Sequence, residues 1–245
     1  MSLYQTIQVK GRTFIVGDLH GCYSLLENVL EEVKFSPDDG DVCILVGDLT
    51  DRGNESPDCL ALLDEKGFFT IRGNHEQMMI TALQGQELGM YCWLHNGGQW
   101  YQALSETQQQ EIKTYWLPKI QALPYAIDLR TAGGLHIGIC HADPVMNDWD
   151  QLLQVLSQEN TEANSELLEK MLWARERITL ANKVNYLSDA YQIKGIDWCV
   201  MGHTPVRPTP LMKGNCIWID SGAVYPNGYL TIIEPDNQMQ HYHSR

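Results

Sequence analysis

Residues 13–21 read TFIVGDLHG, in which four apolar or β-branched residues run directly into an Asp and a His flanked by glycines. The same arrangement returns in residues 42–53, VCILVGDLTDRG, and in residues 68–76, FFTIRGNHE. Each apolar run has the length of a buried strand, and each is followed by side chains that can bind a cation. The three stretches therefore predict strands whose functional residues lie on the loops that follow them.

The segments between these strands have helical patterns. Apolar residues recur three or four positions apart in residues 23–33, which predicts an amphipathic helix. A second helix is predicted from Ser56, its N-cap, towards Gly67, and a third from His75 to Gln84. The chain thus alternates strand, loop and helix three times, which is typical of an α/β domain with function on the loops after the strands.

The polar clusters are spaced so that they can meet. His20 and Asp48 are 28 residues apart, and Asp48 and Asn74 are 26 apart, each about the length of one strand, loop and helix. Adjacent crossovers of that length bring their loops to one edge of a sheet. Two later predicted strands end in the sequences CHAD and GHTP, which add His141 and His203.

The rest of the chain is organised around these loops. Apolar runs predict strands at 13–16, 42–46, 68–71, 135–140, 198–201, 216–219 and 229–233. Residues 90–123 and 149–187 are helical in pattern and rich in Trp, Leu and Gln, so we interpret them as cap or flanking segments. The length favours a single domain over residues 1–245. The terminal stretch 241–243, HYH, is expected to be solvated rather than to bind a metal.

Composition narrows the function classes. A net charge of −14 disfavours nucleic acid and anionic membranes as partners. No apolar stretch approaches the ~18 residues of a membrane span, and the first residues lack a secretory signal. The seven cysteines are scattered without a C-x-x-C pair, so no disulfide framework is expected. These features predict a cytoplasmic protein.

The ligand types in the clusters indicate a metal site. Carboxylate, imidazole and amide groups together suit manganese, iron or zinc better than calcium or copper. A bridging carboxylate can hold two such ions about 3.5–4 Å apart, and Asp48 is the natural bridge. Each cluster taken alone could be a turn or a structural histidine, but five together favour two divalent ions, with manganese expected first. The other ligands are predicted to be Asp18 and His20 for one ion, and Asn74, His141 and His203 for the other.

The same residues carry a family resemblance. GD-x-HG, GD-x-x-DRG and GNHE, between Asp18 and Glu76, resemble the signature of calcineurin-like metallophosphoesterases, and the later GH at 202–203 also matches. Within that superfamily the chain is similar to the bacterial and phage lambda type of serine/threonine protein phosphatase, through HGC at 20–22, RGNHEQMM at 72–79 and WARER at 173–177. The resemblance spans nearly the whole chain. It implies two packed mixed β-sheets flanked by helices, with a dinuclear site at the strand ends.

The implied activity is phosphomonoester hydrolysis on phosphorylated proteins, at phosphoserine or phosphothreonine and conceivably phosphotyrosine. A hydroxide bridging the two ions would attack phosphorus in line. Arg52 and Arg175 would hold the phosphoryl oxygens, the latter at a position resembling a second phosphate-binding arginine of the family. His75 would protonate the leaving oxygen, and Asp51 would orient its imidazole.

Other functions fit less well. No cysteine is followed six positions later by Arg, as a cysteine-dependent phosphatase requires, and Gly-Lys, which a P-loop requires, never occurs. A symmetrical diadenosine tetraphosphate hydrolase is the nearer alternative. The family resemblance implies that such hydrolases have a form of the second motif that lacks the aspartate before Arg-Gly, and here Asp51 is present. A non-catalytic metal-binding interaction module is the alternative from another class. It is disfavoured because a decayed site would lack a ligand or the acid.

Overall fold

Two mixed β-sheets pack face to face, and helices cover their outer faces. The structure is a computed structural model and describes residues 2–158, 162–183 and 189–245. The predicted fold, two packed mixed sheets flanked by helices, is confirmed.

The larger sheet has six strands, in the spatial order β1 (Tyr4–Gln8), β5 (Ala126–Arg130), β6 (His136–Cys140), β7 (Trp198–Met201), β9 (Cys216–Trp218) and β8 (Leu211–Lys213). The smaller sheet has five, in the order β11 (Gln240–Ser244), β10 (Leu230–Glu234), β2 (Thr13–Val16), β3 (Val42–Leu45) and β4 (Phe68–Thr70). Strands β2, β3 and β4 are parallel neighbours, as are β6, β7 and β9. Parallel neighbours end at the same edge of their sheet, so the loops that follow them lie close together.

The helices are α1 (Tyr23–Glu32), α2 (Ser56–Ala61), α3 (Asn74–Leu83), α4 (Gly89–Trp93), α5 (Gln99–Gln102), α6 (Glu106–Glu111), α7 (Leu117–Gln121), α8 (Trp149–Leu156), α9 (Glu162–Trp173) and α10 (Glu176–Lys183). One wide helical turn, Leu94–Gly98, joins α4 to α5, and another, Ile112–Trp116, joins α6 to α7. Short 3₁₀ turns lie at Pro37–Asp39, Leu62–Asp64 and Asp189–Tyr191. No helix among the described residues is both long and apolar enough to cross a bilayer.

The strands at the centre of each sheet are covered on both faces. Ile15 and Ile44 of the smaller sheet pack against Ile137 and Ile139 of the larger one, in a core between the sheets. Alternate residues of the same strands, such as Phe14, lie in a separate core beneath α1. Strands buried on both faces have near-continuous apolar sequences. This is why the sequence predicted the central strands β2, β3, β6, β7 and β9.

The differences from the predicted elements lie at edges and ends, except for β5, an interior strand whose apolar run is interrupted by Asp128. Strands β1, β5, β8 and β11 were not predicted, and β11 shows that the terminal HYH stretch pairs with β10 and is not a solvated tail. The second helix ends at Ala61 and continues as a 3₁₀ turn, well before Gly67. Part of the predicted 149–187 segment, residues 159–161 and 184–187, lies outside the described residues.

Candidate active site

The six predicted metal ligands converge on one buried cluster. The loops after β2, β3 and β4 bring theirs from the smaller sheet, and the ends of β6 and β7 bring two histidines from the larger one. All six side chains lie between 0% and 6% exposed. The ligands are Asp18, His20, Asp48, Asn74, His141 and His203.

Acceptor atoms face one another around Asn74. The Nδ1–H of His141 donates to the carbonyl of Val46 at 2.7 Å, so its Nε2 is left as an acceptor. That nitrogen lies 2.9 Å from Asn74 Oδ1 and 3.4 Å from Asp48 Oδ1, and Nδ1 of His203 lies 2.9 Å from the same amide oxygen. A histidine that binds a metal usually donates its other N–H in this way. Converging acceptors of these types therefore fit a divalent cation.

A second donor group shares Asp48. His20, Asp48 and His75 each offer a ligand atom within 4.8 Å of the others. His20 donates its Nδ1–H to a backbone carbonyl at 3.0 Å, which leaves its Nε2 as an acceptor 3.6 Å from Asp48 Oδ2. Asp18, predicted as a ligand here, is buried nearby, and its two oxygens accept the backbone N–H of His203 at 3.0 and 2.9 Å. Membership of Asp18 in this group stays a prediction.

Burial and neighbouring charges shift the acidity of these groups. Burial raises the pKa of Asp18 well above its usual range, and the nearby Asp220 and Asp48 carboxylates raise it further. Burial lowers the pKa of His20 to about 3 and that of His203 to about 2. Burial also acts to raise the pKa of Asp48, but three neighbouring imidazoles and a backbone N–H hold it below its usual value. Ionised aspartate and neutral histidine are the forms that bind metal ions.

The backbone around the ligands is unusual. His20, Asp48, Asp51, Arg52 and His203 all have φ between 47° and 78°, the left-handed region that non-glycine residues rarely adopt. Such conformations cost free energy and persist where the surrounding structure enforces them, which is typical of functional sites.

Glu76 fixes the Asp48 loop to the start of α3. Its Oε2 accepts the backbone N–H groups of Asp48 and Gly73, both at 2.8 Å, and its Oε1 accepts that of Leu49 at 2.9 Å. A Cβ on Gly73 would lie 2.2 Å from Asp48 Oδ1, so only glycine fits there. Glu76 lies in the GNHE motif, but no role for it was predicted from the sequence. It locks two ligand loops together.

Asp51 and His75 form a buried pair. The Nδ1–H of His75 donates to Asp51 Oδ2 at 2.7 Å, and Arg52 donates to the opposite ring nitrogen, Nε2, at 2.8 Å. Burial lowers the pKa of His75, but the Asp48 and Asp51 carboxylates raise it by more, so the net shift is upward. This is the arrangement that an oriented general acid requires.

Two tryptophans that the sequence did not single out also contact Asp51. Trp93 donates its indole N–H to both carboxylate oxygens, at 3.0 and 2.9 Å, and Trp100 donates to Oδ1 at 2.7 Å. Both come from the predicted cap segment 90–123. No spacing or motif in the sequence links them to Asp51.

The two arginines of the WARER stretch have different environments. Arg175 is exposed, and its positive charge contributes to lowering the pKa of His141 and of His203. Arg177 is buried in an ion pair with Asp143, with Nε 3.0 Å from a carboxylate oxygen. Phosphate binding by Arg175 stays a prediction.

Arg52 lies between His20 and the Asp51–His75 pair. It donates to Nε2 of both His20 and His75, and its guanidinium lies 5.7 Å from the ring centroid of Tyr225. Its backbone N–H donates to the carbonyl of Gly97 at 2.9 Å. The side chain is exposed, unlike the histidines it contacts, so it can reach a substrate.

Asp220 is a further buried carboxylate that the sequence analysis did not name. It follows β9, and burial raises its pKa to about 7, with a further contribution from Asp48. Its Oδ1 accepts the backbone N–H of Gly222 at 2.8 Å. Its proximity contributes to the raised pKa of Asp18.

The chain is similar in sequence to known proteins. Residues 11–207 match the model of the calcineurin-like phosphoesterase family. The chain is 35% identical over 232 residues to serine/threonine-protein phosphatase 1 of Salmonella typhimurium, which covers 94% of this chain and 95% of that protein. It is 43% identical to the symmetrical bis(5'-nucleosyl)-tetraphosphatase of Mannheimia succiniciproducens, but only over 75 residues, 30% of this chain and 27% of that protein.

The fold has solved relatives as well. The cold-active protein-tyrosine phosphatase of a Shewanella species superposes with a TM-score of 0.55 at 16% identity, and the match covers 100% of this chain and 83% of that one. The family match includes every ligand loop described above, and the Salmonella relative is matched over nearly its whole length. The chain therefore belongs to the calcineurin-like phosphoesterases, a family of metal-dependent enzymes.

Proposed function

We propose that the protein is a phosphoprotein phosphatase that hydrolyses phosphomonoesters of serine and threonine. The observation that carries the proposal is the buried Asp51–His75 pair, 2.7 Å apart, beside His and Asp side chains that could hold metal ions. The pair supplies an oriented acid next to the donors. The near full-length similarity to a serine/threonine-protein phosphatase supports the same substrate class.

Two divalent ions, manganese first and iron or zinc as alternatives, are proposed to bind at Asp48. When bound, such ions lower the pKa of a water molecule and neutralise charge on the phosphoryl oxygens. The convergence of acceptors around Asn74 Oδ1 and Asp48 supports binding of a cation there. Asp18 and His20 would complete one ligand set with Asp48, and Asn74, His141 and His203 the other.

Arg52 is proposed to bind the phosphoryl group. Its two terminal nitrogens face the Nε2 atoms of His20 and His75, and its stem is exposed. A guanidinium can exchange these neutral acceptors for two anionic phosphoryl oxygens, which form stronger, charge-assisted hydrogen bonds. That exchange frees Nε2 of His75. Arg175 would contribute a second positive charge from the opposite side.

His75 is proposed to donate a proton from Nε2 to the leaving oxygen. Its Nδ1–H stays bonded to Asp51, so the ring keeps one orientation while the proton moves. A serine or threonine alkoxide is a poor leaving group, and a positioned acid typically contributes about 10²–10⁴ in rate. The raised pKa of His75 favours the protonated form that this step needs.

Hydrolysis of diadenosine tetraphosphate is the second candidate, supported by the 75-residue similarity to a bis(5'-nucleosyl)-tetraphosphatase. Asp51 favours the protein phosphatase, because the resemblance implies that the second motif of the dinucleotide hydrolases lacks that aspartate. Phosphorylated proteins in the cytoplasm are the proposed substrates, with neither nucleic acid nor membrane as a partner.

The test compares three substrate classes on metal-reconstituted protein. Turnover of phosphoserine and phosphothreonine peptides, diadenosine tetraphosphate and a phosphodiester is measured with added manganese. The proposal expects the highest kcat/KM on the peptides. A higher kcat/KM on the dinucleotide would instead assign the second function.

Metal dependence is tested on p-nitrophenyl phosphate. Exhaustive chelation is expected to abolish hydrolysis and manganese to restore it, because the site residues alone provide no nucleophile strong enough. Elemental analysis must confirm removal. Full activity in protein shown to be free of metal would overturn the mechanism.

A further inference from the structure

The segment from α4 to α5 contacts the acid pair directly, although it contributes no metal donor. Trp93 is fully buried, and its indole N–H lies 3.0 and 2.9 Å from the two oxygens of Asp51. Trp100, half-buried, donates to Oδ1 at 2.7 Å. The two rings are perpendicular, with centroids 6.0 Å apart. Both donors therefore approach one carboxylate from the same segment of the chain.

Within the described part of the chain, the hydrogen-bonding partners of the Asp51 carboxylate are all donors. Oδ1 accepts from both indoles, and Oδ2 accepts from Trp93 and from Nδ1 of His75. An indole N–H can only donate, and an ionised carboxylate can only accept. The arrangement is satisfied by one orientation of the carboxylate, and it leaves Oδ2 directed at the imidazole.

We propose that Trp93 and Trp100 are positioning residues of the hydrolytic reaction, which hold Asp51 so that His75 presents Nε2 to the leaving oxygen. A water molecule supplies the oxygen that bonds to phosphorus as the bond from phosphorus to the leaving oxygen breaks. The proton on Nε2 of His75 moves to that leaving oxygen, and the Nδ1–H remains bonded to Asp51. The inference rests on the proposed function only in taking His75 as the acid.

The surrounding backbone is built to keep the two tryptophans in place. Gly97 accepts the N–H of Arg52 at 2.9 Å, and a Cβ on Gly97 would lie 2.7 Å from that same nitrogen. A Cβ on Gly98 would lie 2.7 Å from the Trp93 ring. The glycines let the chain pass close enough to the loop of Asp51 and Arg52 for both indoles to reach the carboxylate.

The test replaces Trp100 by Phe, which removes the N–H and keeps an aromatic ring. It compares phenyl phosphate with p-nitrophenyl phosphate, since the nitro group stabilises the departing phenolate and removes the need for an acid. We expect kcat on phenyl phosphate to fall roughly 10-fold and kcat on the nitrophenyl ester to fall less than about 2-fold, with KM and metal content unchanged. A purely structural role would lower both rates together.

Two further variants and a double mutant complete the test. Trp116→Phe, in the same helical flank but without contact to Asp51, is the matched control and should leave both rates unchanged. If Trp93→Phe folds, it should show the same selective loss on phenyl phosphate. If Trp93→Phe does not fold, the result for Trp100→Phe alone tests the proposal. In a His75→Asn background, Trp100→Phe should add less than about 2-fold, because residues that act through one group are not additive.

Equal losses on the two esters in folded, metal-replete Trp100→Phe would overturn the inference, and so would unchanged rates on both. A full 10-fold further loss without His75 would overturn it as well. An enzyme that prefers the dinucleotide would defeat only the proposed substrate class. A wild-type protein inactive on both esters would defeat the proposed function and this inference with it.

Discussion

The two helical flanks of the molecule meet the active site in different ways. The flank from α4 to α7 donates two indole hydrogen bonds to Asp51. The flank from α8 to α10 packs on the outer face of the larger sheet, and it meets the site through Trp173, whose ring centroid lies 6.1 Å from that of His203. Its buried ion pair, Arg177 with Asp143, binds no predicted ligand side chain. The two segments have similar compositions, so composition did not predict which one serves the acid.

This difference indicates which contacts of the two flanks should affect catalysis and which should affect stability. Hydrogen bonds from the first flank end on a group that contacts the acid, so their loss should appear in rates. Apart from Arg175, whose charge acts on His141 and His203, the second flank contacts mainly apolar residues and an internal ion pair. Loss of those other contacts should appear in the free energy of unfolding. Four substitutions and one control test this contrast.

The largest effect is expected for Asp48→Asn, because Asp48 belongs to both donor groups. The change removes a negative charge shared by two ions and should lower metal occupancy and reduce kcat at least roughly 100-fold. Elemental analysis and p-nitrophenyl phosphate rates measure the two effects. Two ions per chain in the variant would reject Asp48 as the bridge.

His75→Asn should leave the metals bound and act on the leaving group alone. Hydrolysis of a phosphoserine peptide is expected to fall about 10²–10⁴-fold, whereas nitrophenolate hardly needs a proton and its release should slow far less. The ratio of the two losses is the measurement. Equal losses would indicate that His75 only shapes the site.

Asp51→Asn should mimic the His75 substitution. An asparagine amide would direct its NH₂ against an N–H donor in either orientation, since donors surround both oxygens of Asp51. We expect a large loss on phosphoserine peptide, a smaller one on the nitrophenyl ester, and a double mutant with His75→Asn little worse than either single variant. If the rate losses of the two single variants multiply in the double mutant while metal content stays intact, Asp51 does not act through His75. Such losses would also remove the main sequence argument against the dinucleotide hydrolase.

Arg177→Met tests the second flank. Arg177 and Asp143 are each less than a tenth exposed, so removal of the arginine leaves a buried carboxylate without its cation. Such a loss typically costs about 3–5 kcal/mol of stability. Urea unfolding should show it, while kcat of the folded fraction stays near the wild-type value.

The control for this change is Lys170→Met in the same flank. Lys170 pairs with Glu166 one helical turn away, and both side chains are largely exposed to solvent. An exposed pair of this kind contributes little, so the urea midpoint should not move measurably. If the two variants lost equal stability, burial would not be the reason for the Arg177 effect.

Much of the site could be predicted because most of the ligands follow a strand that is buried on both faces. Such a strand has an uninterrupted apolar sequence, so the polar cluster at its end is conspicuous, and parallel neighbours bring those ends together. The predictions of His20, Asp48 and His141 rest on this. Edge strands such as β1 and β11 are half-exposed and polar in alternation, so their sequences resemble loops.

The sequence by itself therefore predicted which side chains could bind metal, since local strand and loop patterns carry that information, and its family resemblance implied which could act as the acid. Only the tertiary structure decided what holds them. Trp93 and Trp100 are 42 and 49 residues from Asp51, and Glu76 is 28 from Asp48. Contacts at such separations have no sequence period, because they form only when independently folded segments are packed against one another.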